Sequence, residues 1–197
     1  MTKPALILFI RNPELGKVKT RLARDVGDEQ ALSIYKALLK HTRDTALAVN
    51  AQRLLFYSQA VPKTDHWPTP AFTKLLQAGD DLGERMHLAF LQALERAYKA
   101  VIIGSVIAQI NAGIIEEAFQ ALEENDYVIG PALDGGYYLL GMKQPTPELF
   151  QNMEWSTPDV CQTTLDRISR LGRSCHKVAT LTDIDYAEDW KRHGWPL

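Results

Sequence analysis

The amino-acid sequence predicts an α/β protein built on a mostly parallel central sheet with helices on both faces. Short apolar segments of strand length alternate along the chain with segments whose apolar residues recur at helical spacing. The helical segments, of roughly 10–20 residues each, are long enough for right-handed crossover connections between parallel strands. Since no internal repeat or linker interrupts this alternation, we expect residues 1–197 to form a single domain.

Seven short segments are predicted to be strands. Apolar runs such as ALILFI and VIIG are typical of buried strands in a parallel sheet. The run YYLLG is expected to pair with the strand before it, because Asp134, Gly135 and Gly136 favour a tight turn between them. The predicted strands cover residues 5–10, 53–57, 72–77, 101–103, 126–131, 137–141 and 174–180.

Five segments are predicted to be helices, because their apolar residues fall on one helical face. Met86, Phe90 and Leu94, for example, share such a face. Thr157 followed by Pro158 is typical of an N-cap and a first helical position, so we expect a helix to start there. The predicted helices cover residues 28–49, 84–100, 114–125, 158–171 and 187–193.

Composition and charge exclude several classes of protein. The chain is 46% hydrophobic and 23% charged, as in an average globular domain, and its formal net charge of −2 offers no whole-surface attraction to nucleic acid. No apolar run approaches the roughly 20 residues that span a bilayer, and the first apolar run is too short for a signal peptide. We therefore expect a cytoplasmic protein without a nucleic-acid partner or a membrane span.

The basic loop, RNPELGKVKTRL at residues 11–22, follows the first predicted strand. It places Arg11, Lys19 and Arg21 close to Gly16, and such cations beside a glycine suit a polyphosphate. It is not a Walker A loop, because Val18 follows Gly16-Lys17 where Ser or Thr is required. A solvated basic turn is the alternative interpretation.

Three further loops carry candidate functional groups. Gly83 and Arg85 begin a helix and suit a position near a base or ribose, although the neighbouring acids could simply cap that helix. Asp134 could orient a substrate hydroxyl, help to bind a metal, or only form the turn. Asp183 and Asp185, two residues apart, point the same way in an extended segment and suit a hard cation such as Mg²⁺ or, alternatively, a capped turn.

Five motifs taken in order resemble the bacterial glycosyltransferase-like family once labelled a domain of unknown function, which includes arsenosugar-biosynthesis glycosyltransferase-like proteins. The motifs are FIRNPELGKVKTRL, QAGDDLGERMHLAF, GPALDGGYYLLG, EWSTPDV and DIDYAEDW. The resemblance implies the Rossmann-like GT-A fold of nucleotide-diphospho-sugar transferases. It also implies a nucleoside triphosphate or nucleotide sugar as substrate, a small-molecule acceptor, and Mg²⁺ or Mn²⁺. The oligomeric state stays open, a homodimer included.

The resemblance assigns roles to residues of this chain. Asp134 and Lys19 are the implied catalytic residues, and Asp185 is the implied ligand of the divalent cation. The implied nucleotide and phosphate binders are Arg11, Gly16, Lys19, Thr20, Arg21, Gly83 and Arg85.

The apolar loop, residues 104–110, departs from the family pattern. The family has Gly-Ser-Asp-Cys-Pro after this strand, and the aspartate is the second metal ligand, whereas this chain has Val106 there. Valine methyl groups cannot bind a cation, so the resemblance implies a glycosyl- or nucleotidyltransferase with weakened or absent metal binding and impaired activity. In one alternative, Asp134 and Asp185 share a shifted ion. In another, the protein is an inactive nucleotide-binding or protein-interaction module, with Ile107 and Ile110 exposed to a partner.

Overall fold

The computed structural model describes residues 3–197, which form a seven-stranded sheet in the order β3-β2-β1-β4-β6-β5-β7. Neighbouring strands are parallel except β6, which runs antiparallel to both β4 and β5. This arrangement confirms the predicted mostly parallel sheet and the turn-linked pair around residues 134–136. The strands are β1 (Ala5–Ile10), β2 (Gln52–Tyr57), β3 (Thr73–Leu76), β4 (Ala100–Ile103), β5 (Tyr127–Pro131), β6 (Tyr137–Met142) and β7 (Cys175–Lys177).

Helices cover both faces of the sheet, as predicted. Strand β1 shows why: Leu6 and Leu8 belong to a buried cluster that includes Phe119, while Ile7 belongs to a second cluster that includes Phe90. Successive side chains of a strand point to opposite faces, so a continuous apolar strand supports two helical layers. The helices are α1 (Thr20–Val26), α2 (Asp28–Ala48), α3 (Leu82–Leu94), α4 (Ala112–Glu124), α5 (Val160–Arg170) and α6 (Ala187–His193), with a 3-10 turn at Pro147–Leu149.

One helix was not predicted, and three helix starts, that of α5 among them, lie two residues from the predicted positions. The end of the basic loop forms the start of the short helix α1, which the sequence analysis does not predict. Leu22 is its one buried residue, so the segment shows no apolar helical face. Helix α5 begins at Val160 and not at Thr157-Pro158. The Thr157 hydroxyl donates to the carbonyl of Glu154, so it closes a turn before the helix instead of capping it.

Two other predicted elements are shorter than expected. Helix α3 ends at Leu94, not at residue 100, and the last strand is reduced to the three residues of β7. Beyond β7 the chain stays extended and forms an isolated bridge between Leu181 and Ala132. None of the helices in the described part of the chain has the length and hydropathy needed to cross a membrane.

Candidate functional site

A large cavity opens where the chain connections of the sheet diverge. Strands β1 and β4 are adjacent and parallel, but the strands that follow β1 lie on one side and those that follow β4 lie on the other. The loops after these two strands therefore separate, and such a switch point is where open α/β sheets bind ligands. The cavity has a volume of about 810 Å³ and is lined by parts of the basic loop, the apolar loop, the β5–β6 turn, residues 155–158 and residues 183–185. This volume suits a ligand of nucleotide size.

The start of the basic loop is held by a buried tyrosine. The Tyr35 hydroxyl of α2 accepts a hydrogen bond from the backbone N–H of Arg11 at 2.9 Å and lies 3.1 Å from the Arg11 carbonyl, to which it can donate. It also lies 3.4 Å from the Ser105 hydroxyl at the start of the apolar loop. Tyr35 thus links both loops at the base of the cavity, while the Arg11 side chain stays exposed.

Lys19 has an unusual backbone conformation at the entry to α1. Its φ of 50° and ψ of 44° lie in the left-handed region, which costs a non-glycine residue roughly 1–2 kcal/mol. Its side chain is only 7% exposed, and Nζ donates to Oδ1 of Asp185 at 3.0 Å. Arg21, on the first turn of α1, donates from Nη1 to Oδ2 of the same carboxylate at 3.0 Å. The structure therefore brings together three of the predicted site residues.

The charge of Asp185 is fixed by these two cations. Burial acts to raise the pKa of this carboxyl, but the charge and hydrogen bond of Lys19, followed by those of Arg21, outweigh it and lower the pKa overall. Asp185 is consequently ionised at neutral pH. Its backbone N–H donates to Asp189 at the start of α6, which holds the segment in place.

Asp183 is a site residue that the list of implied binding residues omits. Its Oδ1 is buried and has no hydrogen-bond partner among residues 3–197. Burial, followed by the nearby charge of Asp134, raises the pKa of this carboxyl to about 7, against the lowering effect of Lys19. The i, i+2 spacing of Asp183 and Asp185 was the sequence signal for it, and both side chains do line the cavity.

The isoleucines of the apolar loop are buried, which corrects the alternative in which they are exposed to a protein partner. Ile107 and Ile110 are each 1% exposed. The C-terminal segment, residues 181–185, covers the loop through an isolated bridge between Ile107 and Asp183 and a hydrogen bond from the Ile184 N–H to the Val106 carbonyl at 3.0 Å. The apolar side chains therefore attach the chain's own C-terminal segment instead of a second protein.

The opposite wall of the cavity is built around an indole. A Cβ on Gly83 would lie 2.7 Å from a ring carbon of Trp155 and 2.9 Å from the Phe150 carbonyl, so only glycine lets the indole pack there. Gly83 itself lies behind this wall and does not line the cavity. Arg85 does line it, and its Nε donates to the Gly79 carbonyl at 2.9 Å.

The remaining predicted residues are divided between the cavity and its surroundings. Thr20 and Asp134 line the cavity, and Oδ1 of Asp134 accepts from the Gly136 N–H at 2.9 Å, so Asp134 both forms the turn and faces the site. Gly16 lies outside the cavity lining in an exposed turn, with a φ of 72° that favours glycine.

The side chains present do not fit the divalent-cation site that the fold family implies. Val106 lines the cavity with hydrocarbon, and both oxygens of Asp185 are already hydrogen-bonded to cationic side chains. No three His, Cys, Asp or Glu side chains converge on a common metal position within residues 3–197. Mg²⁺ is usually bound by one or two carboxylates together with phosphate, but here Asp185 is already paired with two cations and the Val106 side chain supplies no oxygen.

The sequence also matches a known protein family. Residues 41–157, more than half of the chain, match the family described as "Uncharacterized protein conserved in bacteria (DUF2064)". No curated protein sequence matches the chain.

Several solved structures are similar to this one. A candidate nucleotide-diphospho-sugar transferase from Desulfovibrio desulfuricans is 29% identical and has a TM-score of 0.88, over 94% of this chain and 84% of that one. The CTP complex of CMP:2-keto-3-deoxy-manno-octonic acid synthetase has 10% identity and a TM-score of 0.60, over 97% and 96% of the two chains. A manganese complex of a Mycobacterium tuberculosis protein has 13% identity and a TM-score of 0.54, over 97% of each. These similarities confirm the GT-A-like fold of the nucleotide-diphospho-sugar transferase superfamily, and the last two show the fold alone.

Proposed function

The chain belongs to the bacterial family DUF2064, and from this premise we propose that it is a transferase acting on a nucleotide-activated substrate. The group transferred is a nucleotidyl or glycosyl group, and the acceptor is a small molecule. The observation that carries the proposal is the cationic basic loop at the mouth of the switch-point cavity. The similar structures include a candidate nucleotide-diphospho-sugar transferase and a CTP-bound synthetase, which supports a nucleotide as the ligand.

The phosphates of the substrate would lie against the basic loop. Arg11, Lys19 and Arg21 supply three positive charges on one side of the cavity, with the Thr20 hydroxyl between the last two. Hydrogen bonds from charged donors to phosphate are stronger than neutral ones, and fixed cations also stabilise the charge that develops on the leaving group. In this proposal Lys19 is catalytic because its ammonium is the most rigidly held of the three, and Gly16 shapes the turn that presents it.

The base or sugar and the acceptor would occupy the rest of the cavity. Arg85 lines the side near the base or ribose, and Gly83 supports that wall by admitting Trp155. Asp134 has one oxygen in its turn and lines the cavity near Asp183, so its second oxygen is available to accept from an acceptor hydroxyl. Attack by that hydroxyl on the activated phosphorus or anomeric carbon would displace pyrophosphate or a nucleoside diphosphate.

A second candidate function is an inactive nucleotide-binding module. One observation favours it: Val106 stands where the family supplies a metal-binding aspartate, and the metal normally screens the leaving phosphates. Both candidates require nucleotide binding at the basic loop, and turnover distinguishes them. The version with an exposed protein-interaction surface has lost its basis, because the apolar loop is buried.

The proposal is tested by a thermal-shift screen with the common nucleoside triphosphates, UDP-glucose and GDP-mannose, each with and without Mg²⁺. A ligand at 100 times its dissociation constant adds about 2.7 kcal/mol to the free energy of unfolding, which raises the melting temperature measurably. Arg21→Gln is expected to remove most of the shift. Arg24→Gln is the matched control, because Arg24 lies on the same helix but does not line the cavity. If no nucleotide stabilises the wild-type protein, the proposed function is wrong.

A further inference from the structure

We propose that the ammonium group of Lys19 takes the place of the divalent cation in this chain, so that nucleotide binds independently of Mg²⁺ and Mn²⁺. This inference rests on the proposed function, because it concerns the same phosphate site. It concerns how the charge of the phosphates is balanced when one of the expected metal ligands is a hydrocarbon.

The first step is the state of Asp185, the implied metal ligand. Oδ1 of Asp185 accepts from Lys19 and Oδ2 accepts from Arg21, each at 3.0 Å, so a divalent cation on the remaining lone pairs would lie against two positive charges. With the carboxylate 28% exposed and Lys19 only 7% exposed, the Lys19 pair is largely shielded from solvent. A metal would have to displace a buried ammonium without gaining a ligand from Val106.

The second step is the geometry of Lys19. Its left-handed backbone and its position directly before α1 fix the direction in which the side chain leaves the main chain. An ammonium group has three donors, and one of them is directed at Asp185. Two donors remain on a group that lines the nucleotide-sized cavity. Lys19 can therefore link a carboxylate to phosphate oxygens, which is the link that a bound Mg²⁺ would otherwise make.

Asp183 is the residue that most favours a bound metal ion. Its Oδ1 is buried and has no partner among the described residues, as an oxygen prepared for a cation would be. However, Asp183 lies on the bridge to Ile107, and the side chain next to that position in the apolar loop is Val106. Val106 lines the same cavity as Asp183 and offers no oxygen from its side chain, so an ion held by Asp183 would lack a ligand at that position. The variant Asp183→Asn tests directly whether Asp183 holds an ion.

The test is calorimetric titration of the full chain with CTP and with inorganic pyrophosphate, first in EDTA and then in excess MgCl₂. We expect wild-type affinity in EDTA to lie within about twofold of that in MgCl₂, since no ligand set gains from the ion. Lys19→Met should weaken binding in EDTA by about tenfold or more, because a hydrogen-bonded charge is lost. Lys17→Met is the matched control: Lys17 lies in the same loop, is exposed and paired with Glu14, and should change affinity by less than about twofold.

Two further variants make the result specific. Val106→Asp places a carboxylate at a position that lines the same cavity as Lys19, and Mg²⁺ should then raise the affinity of this variant for CTP by about tenfold or more. Lys19→Arg retains the charge and should keep more affinity than Lys19→Met, which separates charge loss from misfolding. Melting temperatures of all variants confirm that they are folded.

Three results would overturn the inference. Wild-type affinity that rises about tenfold with Mg²⁺, and loses that rise in Asp183→Asn, would show that Asp183 holds an ion after all. A Val106→Asp variant that remains indifferent to Mg²⁺ would show that position 106 does not decide metal dependence. If neither CTP nor pyrophosphate binds in any condition, the cavity is not a nucleotide site, and both the proposed function and this inference are wrong.

Discussion

The basic loop and the apolar loop leave neighbouring strands at the same edge of the sheet, yet they are built in opposite ways. The basic loop keeps Arg11 and Arg21 exposed at the cavity and holds Lys19 by a single carboxylate. The apolar loop has Ile107 and Ile110 almost completely buried. The basic loop presents cationic side chains to the cavity, whereas the apolar loop packs its isoleucines against the rest of the chain.

The difference explains how the two halves of the site are connected. The apolar loop binds the C-terminal segment through Ile107 and Val106, and that segment carries Asp185 to the ammonium of Lys19. The link at position 106 is made by the backbone carbonyl, while the Val106 side chain is partly buried against the cluster that contains Ile107 and Leu181.

The largest expected effect is on the apolar loop. Ile107→Asp places a carboxylate at a buried position directly beside Asp183, and we expect it to lower the free energy of unfolding by about 3–5 kcal/mol. Urea unfolding followed by circular dichroism measures this. The conservative control Ile107→Val should cost about 0.5–1.5 kcal/mol. Equal and small losses in both variants would mean that the C-terminal segment does not depend on this contact.

The next effect is on the connection between the loops and appears as a pH dependence. Burial and then Asp134 raise the pKa of Asp183 to about 7, so the folded state holds this proton more tightly than the unfolded state does. In the wild type, the contribution of Asp183 to the free energy of unfolding is fully present below about pH 4 and is lost as the pH rises to about 7. Asp183→Asn does not titrate, so it should gain on the order of 2–4 kcal/mol relative to wild type over that window.

The neighbouring carboxylate provides a control of opposite sign. Burial acts to raise the pKa of Asp185, but Lys19 and Arg21 lower it overall. The contribution of Asp185 to stability is therefore present above the ordinary aspartate pKa and is lost as the pH falls through the lowered value. Asp185→Asn should therefore be less stable than wild type at neutral pH, with a difference that shrinks in acid. Urea titrations from about pH 3 to pH 8 compare the two variants. If Asp183→Asn loses stability at pH 8, the high pKa of Asp183 is wrong.

The smallest expected effect is on the basic loop. Tyr35→Phe removes the hydroxyl that accepts from the Arg11 N–H, and the cost should be about 1–1.5 kcal/mol because one buried backbone donor is left without this partner. Nucleotide affinity should fall, and the apolar loop should change less than the basic loop, because the contact that it loses is the longer one of 3.4 Å to the Ser105 hydroxyl. Hydrogen exchange at Arg11, compared with exchange at Ile110, measures the two loops separately. Faster exchange at Ile110 alone would contradict this division.

The fold was readily predictable because its signals are local. Apolar runs of strand length alternate with helical faces, and each strand supports helices on both sides without reference to distant residues. The misjudged elements are those whose signal is weak or tertiary. Helix α1 has one fully buried residue, and Thr157 lies in a turn that resembles an N-cap in sequence. The proposed phosphate site in the basic loop was predicted from its charges, and the departure from the family pattern at position 106 was predicted from the chemistry of valine.

The sequence by itself determined the mostly parallel α/β sheet, the location of the cationic loop after the first strand, and the absence of a carboxylate at position 106. Only the tertiary structure decided that Asp185 pairs with both Lys19 and Arg21 and that Ile107 is covered by residues distant in sequence. It also decided that Oδ1 of Asp183 is buried with no hydrogen-bond partner among residues 3–197. The physical reason is that periodicity and composition are properties of neighbouring residues. An ion pair or a pKa depends on which groups the fold brings close together and on how much water it excludes from them.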